Sequence, residues 1–137
     1  MKNIAFEVMG DMLVAVYSEA NPTSGEHAEC VGILKKLDLR KMRVLILSKG
    51  GAPTPAQRKE LNDIVQGHDI PVAVMTTSTL ARGVTTALSW FNKNMKAYSP
   101  DQMEEAFRHL NVPSNKLALV RSLMIRLDAE VGQKRSM

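Results

Sequence analysis

One cysteine, one tryptophan and 4% aromatic residues leave this 137-residue chain short of the side chains that usually carry redox chemistry or stacking. Cys30 alone cannot form an intramolecular disulfide, and an unpaired thiol suits a reducing compartment. The three histidines, His27, His68 and His109, fall in three separate elements and supply no metal-binding set. Long apolar runs are missing as well. Lys2, Glu7 and Asp11 interrupt the N-terminal stretch, so it has no signal-peptide core. No segment approaches the roughly 20 apolar residues of a membrane-spanning helix. Cytoplasmic is the expected location, with a membrane role unlikely on these grounds.

Catalytic signatures are absent too. The Gly50-Gly51 pair lacks the rest of a Walker phosphate loop, and no Gly-x-Ser-x-Gly elbow occurs. Glu104-Glu105 reads as a solvated helix face, and Cys30 as a small buried hydrophobe. No residue set argues for an enzyme, and no cofactor is expected.

What is present describes a folded domain. Hydrophobic residues make up 45% and charged residues 23%, which excludes wholesale disorder. A chain of this length buries roughly two thirds of its unfolded surface, enough for one core without metal or disulfide. The net charge is +4, and most of the excess sits after Ser114. There Lys116, Arg121, Arg126, Lys134 and Arg135 face only Asp128 and Glu130. The body is close to neutral, so no nucleic-acid footprint is expected.

Along the chain, Ile4, Phe6 and Val8 alternate with Ala5 and Glu7 as a half-buried strand does. Gly10-Asp11 then gives a turn into a second strand, Met12–Tyr17, so the chain opens with a hairpin. Thr23 with Glu26 is a capping box, starting a helix with Val31, Leu34, Cys30 and Leu37 inward. Arg43–Ser48 is a short apolar run suited to a strand covered on both faces. Thr54-Pro55-Ala56-Gln57 starts a helix with Thr at N-cap, Pro at N1 and Gln at N3, and Gly67 ends it. Its inner face is Leu61, Ile64 and Val65.

The same grammar repeats: strand Val72–Met75, cap Thr76–Thr79, then a helix with Leu80, Val84, Ala87, Leu88 and Phe91 inward. Trp90 points about 100° away from Phe91 and would either pack on the C-terminal helix, as the mostly buried lone tryptophan of a small domain does, or lie exposed at an interface. Met95–Tyr98 is a fifth strand, and Ser99-Pro100-Asp101-Gln102 caps a helix lined by Met103, Ala106, Phe107 and Leu110. Strand followed by helix, repeated, implies parallel strands joined by right-handed crossovers. A last helix runs from Ser114 to Val131. In it Leu117, Val120, Met124, Leu127 and Val131 form an a/d seam, widened by Leu119, Leu123 and Ile125.

On this order, and on Val44–Ser48 with Gly50-Gly51-Ala52-Pro53-Thr54 and the segment Arg82–Asn92, the sequence resembles the STAS, or anti-sigma-factor-antagonist-like, proteins of bacteria. The resemblance covers about residues 1 to 112. It implies a mixed sheet of four to five strands with helices mainly on one face. Residues 113–137 would then be an appended amphipathic helix and basic tail. It also implies a partner-binding surface at the start of the second helix, where relatives carry a phospho-acceptor. The matching position is Thr54, flanked by Pro53 and Pro55 in place of the relatives' acidic and small residues.

Both the Lys49–Thr54 loop and the Thr77–Arg82 segment should emerge at the carboxyl edge of the sheet, where ligands of open α/β sheets sit. Helix N-termini there offer free N–H groups and a positive dipole end. Lys49, Gly50, Gly51, Thr54, Ser78 and Arg82 are therefore the candidates for gripping a partner or an anion. Capping alone, at ~1 kcal/mol each, also explains Thr54, Ser78 and Ser99. The expected function is a non-enzymatic regulatory or scaffolding module. It would bind protein partners around Thr54, and the C-terminal helix would either fold back over its own domain or pair through its seam with a copy of itself or another protein. A small-molecule or lipid-binding domain with a pocket at the carboxyl edge is the alternative.

Overall fold

The hairpin opens the fold as its alternation predicts. In the computed structural model, which describes residues 2–90 and 92–132, β1 (Ile4–Met9) pairs antiparallel with β2 (Met12–Tyr17). Gly10 sits at φ 63° in the two-residue turn, as tight hairpins with glycine first require. Then follow α1 (Ser24–Leu34), β3 (Arg43–Ser48), α2 (Pro55–Val65), β4 (Val72–Thr76), α3 (Thr79–Ser89) and β5 (Met95–Tyr98). Two more helices, α4 (Met103–His109) and α5 (Leu117–Glu130), end the chain, each preceded by a 3-10 turn.

The five strands lie in sequence order, β1-β2-β3-β4-β5, with β2 to β5 parallel. This order decides where the helices go. When each new parallel strand is added on the same side, right-handed crossovers place every connecting helix on the same face. Residues of α1, α2 and α3 accordingly meet one face of the sheet, built from Leu13, Ala15, Tyr17, Val44, Ile46, Val72 and Val74. The opposite face, Ala5, Met12, Val14, Val16, Leu45, Ala73 and Met75, is covered by α4 and α5. Helices mainly on one face thus describes α1 to α3, while α4 and α5 make a third layer.

That third layer decides between the two outcomes open to α5 and corrects one expectation. The seam of α5 is not available to a second copy: Val120, Met124, Leu127 and Val131 are all buried against the chain's own sheet, with Leu117 packed at the margin. The physical reason is the sheet's second face, which three same-side crossovers leave bare. Nor does the division at residue 112 hold, because α5 completes the core. Val131 forms a parallel bridge with Lys2, and the Gly132 N–H donates to the Lys2 carbonyl at 2.8 Å. Charged side chains of α5 contact the same domain. Arg126 pairs with Glu7 at 2.7 Å, Glu130 with Lys2 at 2.9 Å and Asp128 with Lys49 at 2.6 Å. Of the basic tail residues, Lys134 and Arg135 lie outside the described residues.

The α3 face also differs from its sequence reading. Ala81 and Thr85 are buried and Leu88 half-buried, whereas Leu80 is 70% exposed and Trp90 78% exposed. The inner row runs through Ala81, Val84, Thr85 and Leu88, so Val84 and Leu88 face inward as expected while Leu80 yields its place to Ala81. Phe91, expected on the inner face, lies outside the described residues. No helix among the described residues is long and apolar enough to cross a membrane.

Candidate functional site

Register brings the carboxyl ends of β3 and β4 together, with Ser48 opposite Thr76. The loop after β3 turns back immediately. The Ser48 hydroxyl donates to the Gly51 carbonyl at 2.6 Å and accepts from the Gly50 N–H, with Gly50 at φ 135°. Gly51 is pressed against the backbone after β2, where a Cβ would lie 2.1 Å from the Ala20 carbonyl oxygen. Only glycine fits there. Its N–H donates to the Ser18 carbonyl, and the Ala52 N–H to Asn21 Oδ1.

The helix starts behave as the sequence suggests. Thr54 and Gln57 form a reciprocal capping box, as do Thr23 and Glu26, and the Ser78 hydroxyl accepts from the Ala81 N–H. Burial pushes the Glu26 carboxyl up, but donors at Thr23, Asn3 and Ile4 outweigh it and hold the group below the ordinary glutamate value.

These bonds decide what the carboxyl edge can hold. Gly50, Gly51 and Thr54 direct their N–H groups to protein acceptors, the Thr54 and Ser78 hydroxyls act as caps, and Lys49 reaches across to Asp128 on α5. Of the four candidates with polar side chains, Lys49, Thr54, Ser78 and Arg82, only Arg82 shows no side-chain hydrogen bond or ion pair among the described residues. The expected anion grip is therefore not assembled. The topology explains why. Ligand crevices at a carboxyl edge form where strand order reverses, sending neighbouring loops to opposite faces. Here the order never reverses.

A different feature stands out under α1, α2 and α3. Between these helices and the sheet lies an apolar cleft of about 100 Å³, lined among others by Leu34, Ile46, Leu61, Val65, Leu88 and Met95. A smaller cavity of about 40 Å³ adjoins it toward Gly51, Ala52 and Pro53, sharing Tyr17, Ile46, Leu88 and Met95 as walls. The polar groups of the larger cleft are Tyr17, Cys30, Asn62 and Asn92, and none of its lining residues is ionic. Asn92 is engaged, donating to the Ile70 carbonyl at 2.7 Å and accepting from the Asn94 N–H. Burial pushes the Cys30 thiol up to about 11, so it stays neutral and poorly nucleophilic near pH 7. Burial raises the Tyr17 phenol too, with a smaller push from Cys30.

At the outer rim of α1 and α2, His27 Nε2 meets Glu60 Oε1 at 2.7 Å and ties the two helices together. Sequence reading missed Tyr17 as a site residue because a strand tyrosine looks like any half-buried one. The cleft itself leaves no local signal, since it arises where three helices fail to close. Comparisons with family models, with curated proteins and with solved structures found no match for this chain.

Proposed function

We propose that this chain is a non-catalytic binding module that takes a small apolar molecule into the cleft between the sheet and α1, α2 and α3. The observation that carries the reading is an apolar space of about 100 Å³ under the helices whose lining holds no ionic residue. An apolar cavity of about 150 Å³ stays dry and takes up benzene or xenon. Pockets for drug-sized ligands run to roughly 300–1,000 Å³. The space therefore suits a single small ring or a short alkyl segment rather than a nucleotide, a peptide or a whole lipid. A place among the STAS-like proteins belongs to this proposal, supported by the hairpin followed by βα units. Methyl NMR with benzene tests the reading: signals of Leu34, Leu61 and Val65 should move in a saturable way. If they stay still at millimolar benzene, the reading fails.

A second reading, a module that docks on protein partners, is favoured by two exposed apolar side chains, Leu80 in the first turn of α3 and Trp90 just past its end. Exposed tryptophan is a frequent anchor of interfaces. For self-association, Trp90 fluorescence should shift to the blue as concentration rises. A maximum fixed at the fully hydrated position from micromolar to millimolar chain would count against it.

A further inference from the structure

We infer that the molecule held in the cleft is neutral and carries one hydrogen-bond acceptor, which the hydroxyl of Tyr17 meets at the carboxyl end of β2. This rests on the cleft reading above and adds the chemistry of the ligand. Tyr17 is 8% exposed and lines both the larger cleft and its smaller extension. Among the described residues its hydroxyl makes no hydrogen bond, and it is not one of the sealed-off polar atoms, so it keeps contact with water that an acceptor on a ligand can replace. The neighbouring polar groups do not meet its need. Asn92 has its own partners, Cys30 is a weak donor and acceptor, and Asn62 is half-buried on α2.

Burial keeps the phenol protonated, so it offers a donor. Because no lining residue is ionic, a carboxylate or phosphate would lose its hydration with no counter-charge in return. The complementary ligand is then a small ketone, aldehyde, ether or alcohol with an apolar body. Leu61, Val65 and Met95 would surround that body.

The test uses the full chain and two probes of one shape, cyclopentanone and methylenecyclopentane, titrated by NMR. Tyr17→Phe removes the hydroxyl and keeps the ring. It should weaken cyclopentanone about fivefold relative to the alkene, the scale of one hydrogen bond in net terms. In the unsubstituted chain, the Tyr17 ring carbon bearing the hydroxyl should shift with the ketone and not with the alkene, a readout independent of the variant. If both probes bind but Tyr17→Phe leaves their ratio unchanged and the ring carbon is silent, the hydroxyl's role is overturned while the cleft stands. If neither binds, both proposals fall. Cyclopentanecarboxylate binding as well as the ketone would overturn the requirement for a neutral ligand.

Discussion

The two faces of the sheet are filled by different means. Against α4 and α5, residues from every layer interlock: Val14, Val16, Leu45, Ala106, Leu110, Val120 and Val131 show essentially no exposure. Against α1, α2 and α3, several of the apolar side chains, Ile46, Leu61, Val65 and Met95, stay only half-buried around a cavity. Helices α1 to α3 are spaced by the strands they connect, each held between fixed ends, whereas α4 and α5 follow the last strand and are free to settle against whatever surface remains. Close packing on one side and a gap on the other is what that difference in connection permits. A back closed at its centre and a cleft at the front are what the proposed binding requires.

Substitutions can break or sharpen this contrast. The largest effect should come from Leu127→Ala on the closed face, which should cost about 2–5 kcal/mol in denaturant unfolding. The half-buried Leu61→Ala on the cleft side should cost clearly less, because its side chain already borders empty space. Equal costs would erase the contrast. Gly51→Ala forces a Cβ onto the Ala20 carbonyl and should cost about 1–3 kcal/mol or more, by the same assay.

Next is a pH effect confined to the cleft side. The unfolded Cys30 thiol ionises near 9.0 and the folded one at about 11, so the folded state holds its proton longer. Its contribution is therefore fully present below pH 9 and is lost as pH rises toward 11. Thermal unfolding between pH 8 and 10 should show a decline of about 1 kcal/mol, reduced in Cys30→Ala. The raised Tyr17 phenol adds a loss of the same sign at higher pH. Smallest of all, Ala15→Val, which adds carbon into the cleft, should stabilise by about 0.5–1 kcal/mol and weaken benzene binding together.

Much of the architecture was legible because it rests on local rules. Alternation marked β1, and the Thr54–Gln57 and Thr23–Glu26 boxes marked helix starts through bonds within one turn. Gly67, at φ 84°, ends α2 as its position suggested. What escaped depended on distant partners. The stripe on α5 was visible, but a stripe does not say what covers it, and the answer lay in strand order. Lys49 looked free until α5 brought Asp128 to it, and Leu80 looked buried because a strand-to-helix loop sets the phase of α3 through tertiary contacts. The cleft was illegible for the same reason.

Xenon under pressure offers the most direct test, since it binds apolar voids without chemical preference. A crystal of the full chain should show one well-occupied xenon among Leu34, Leu61 and Met95, and none between α5 and the sheet. Xenon absent from the cleft, or equally present beneath α5, would contradict the account.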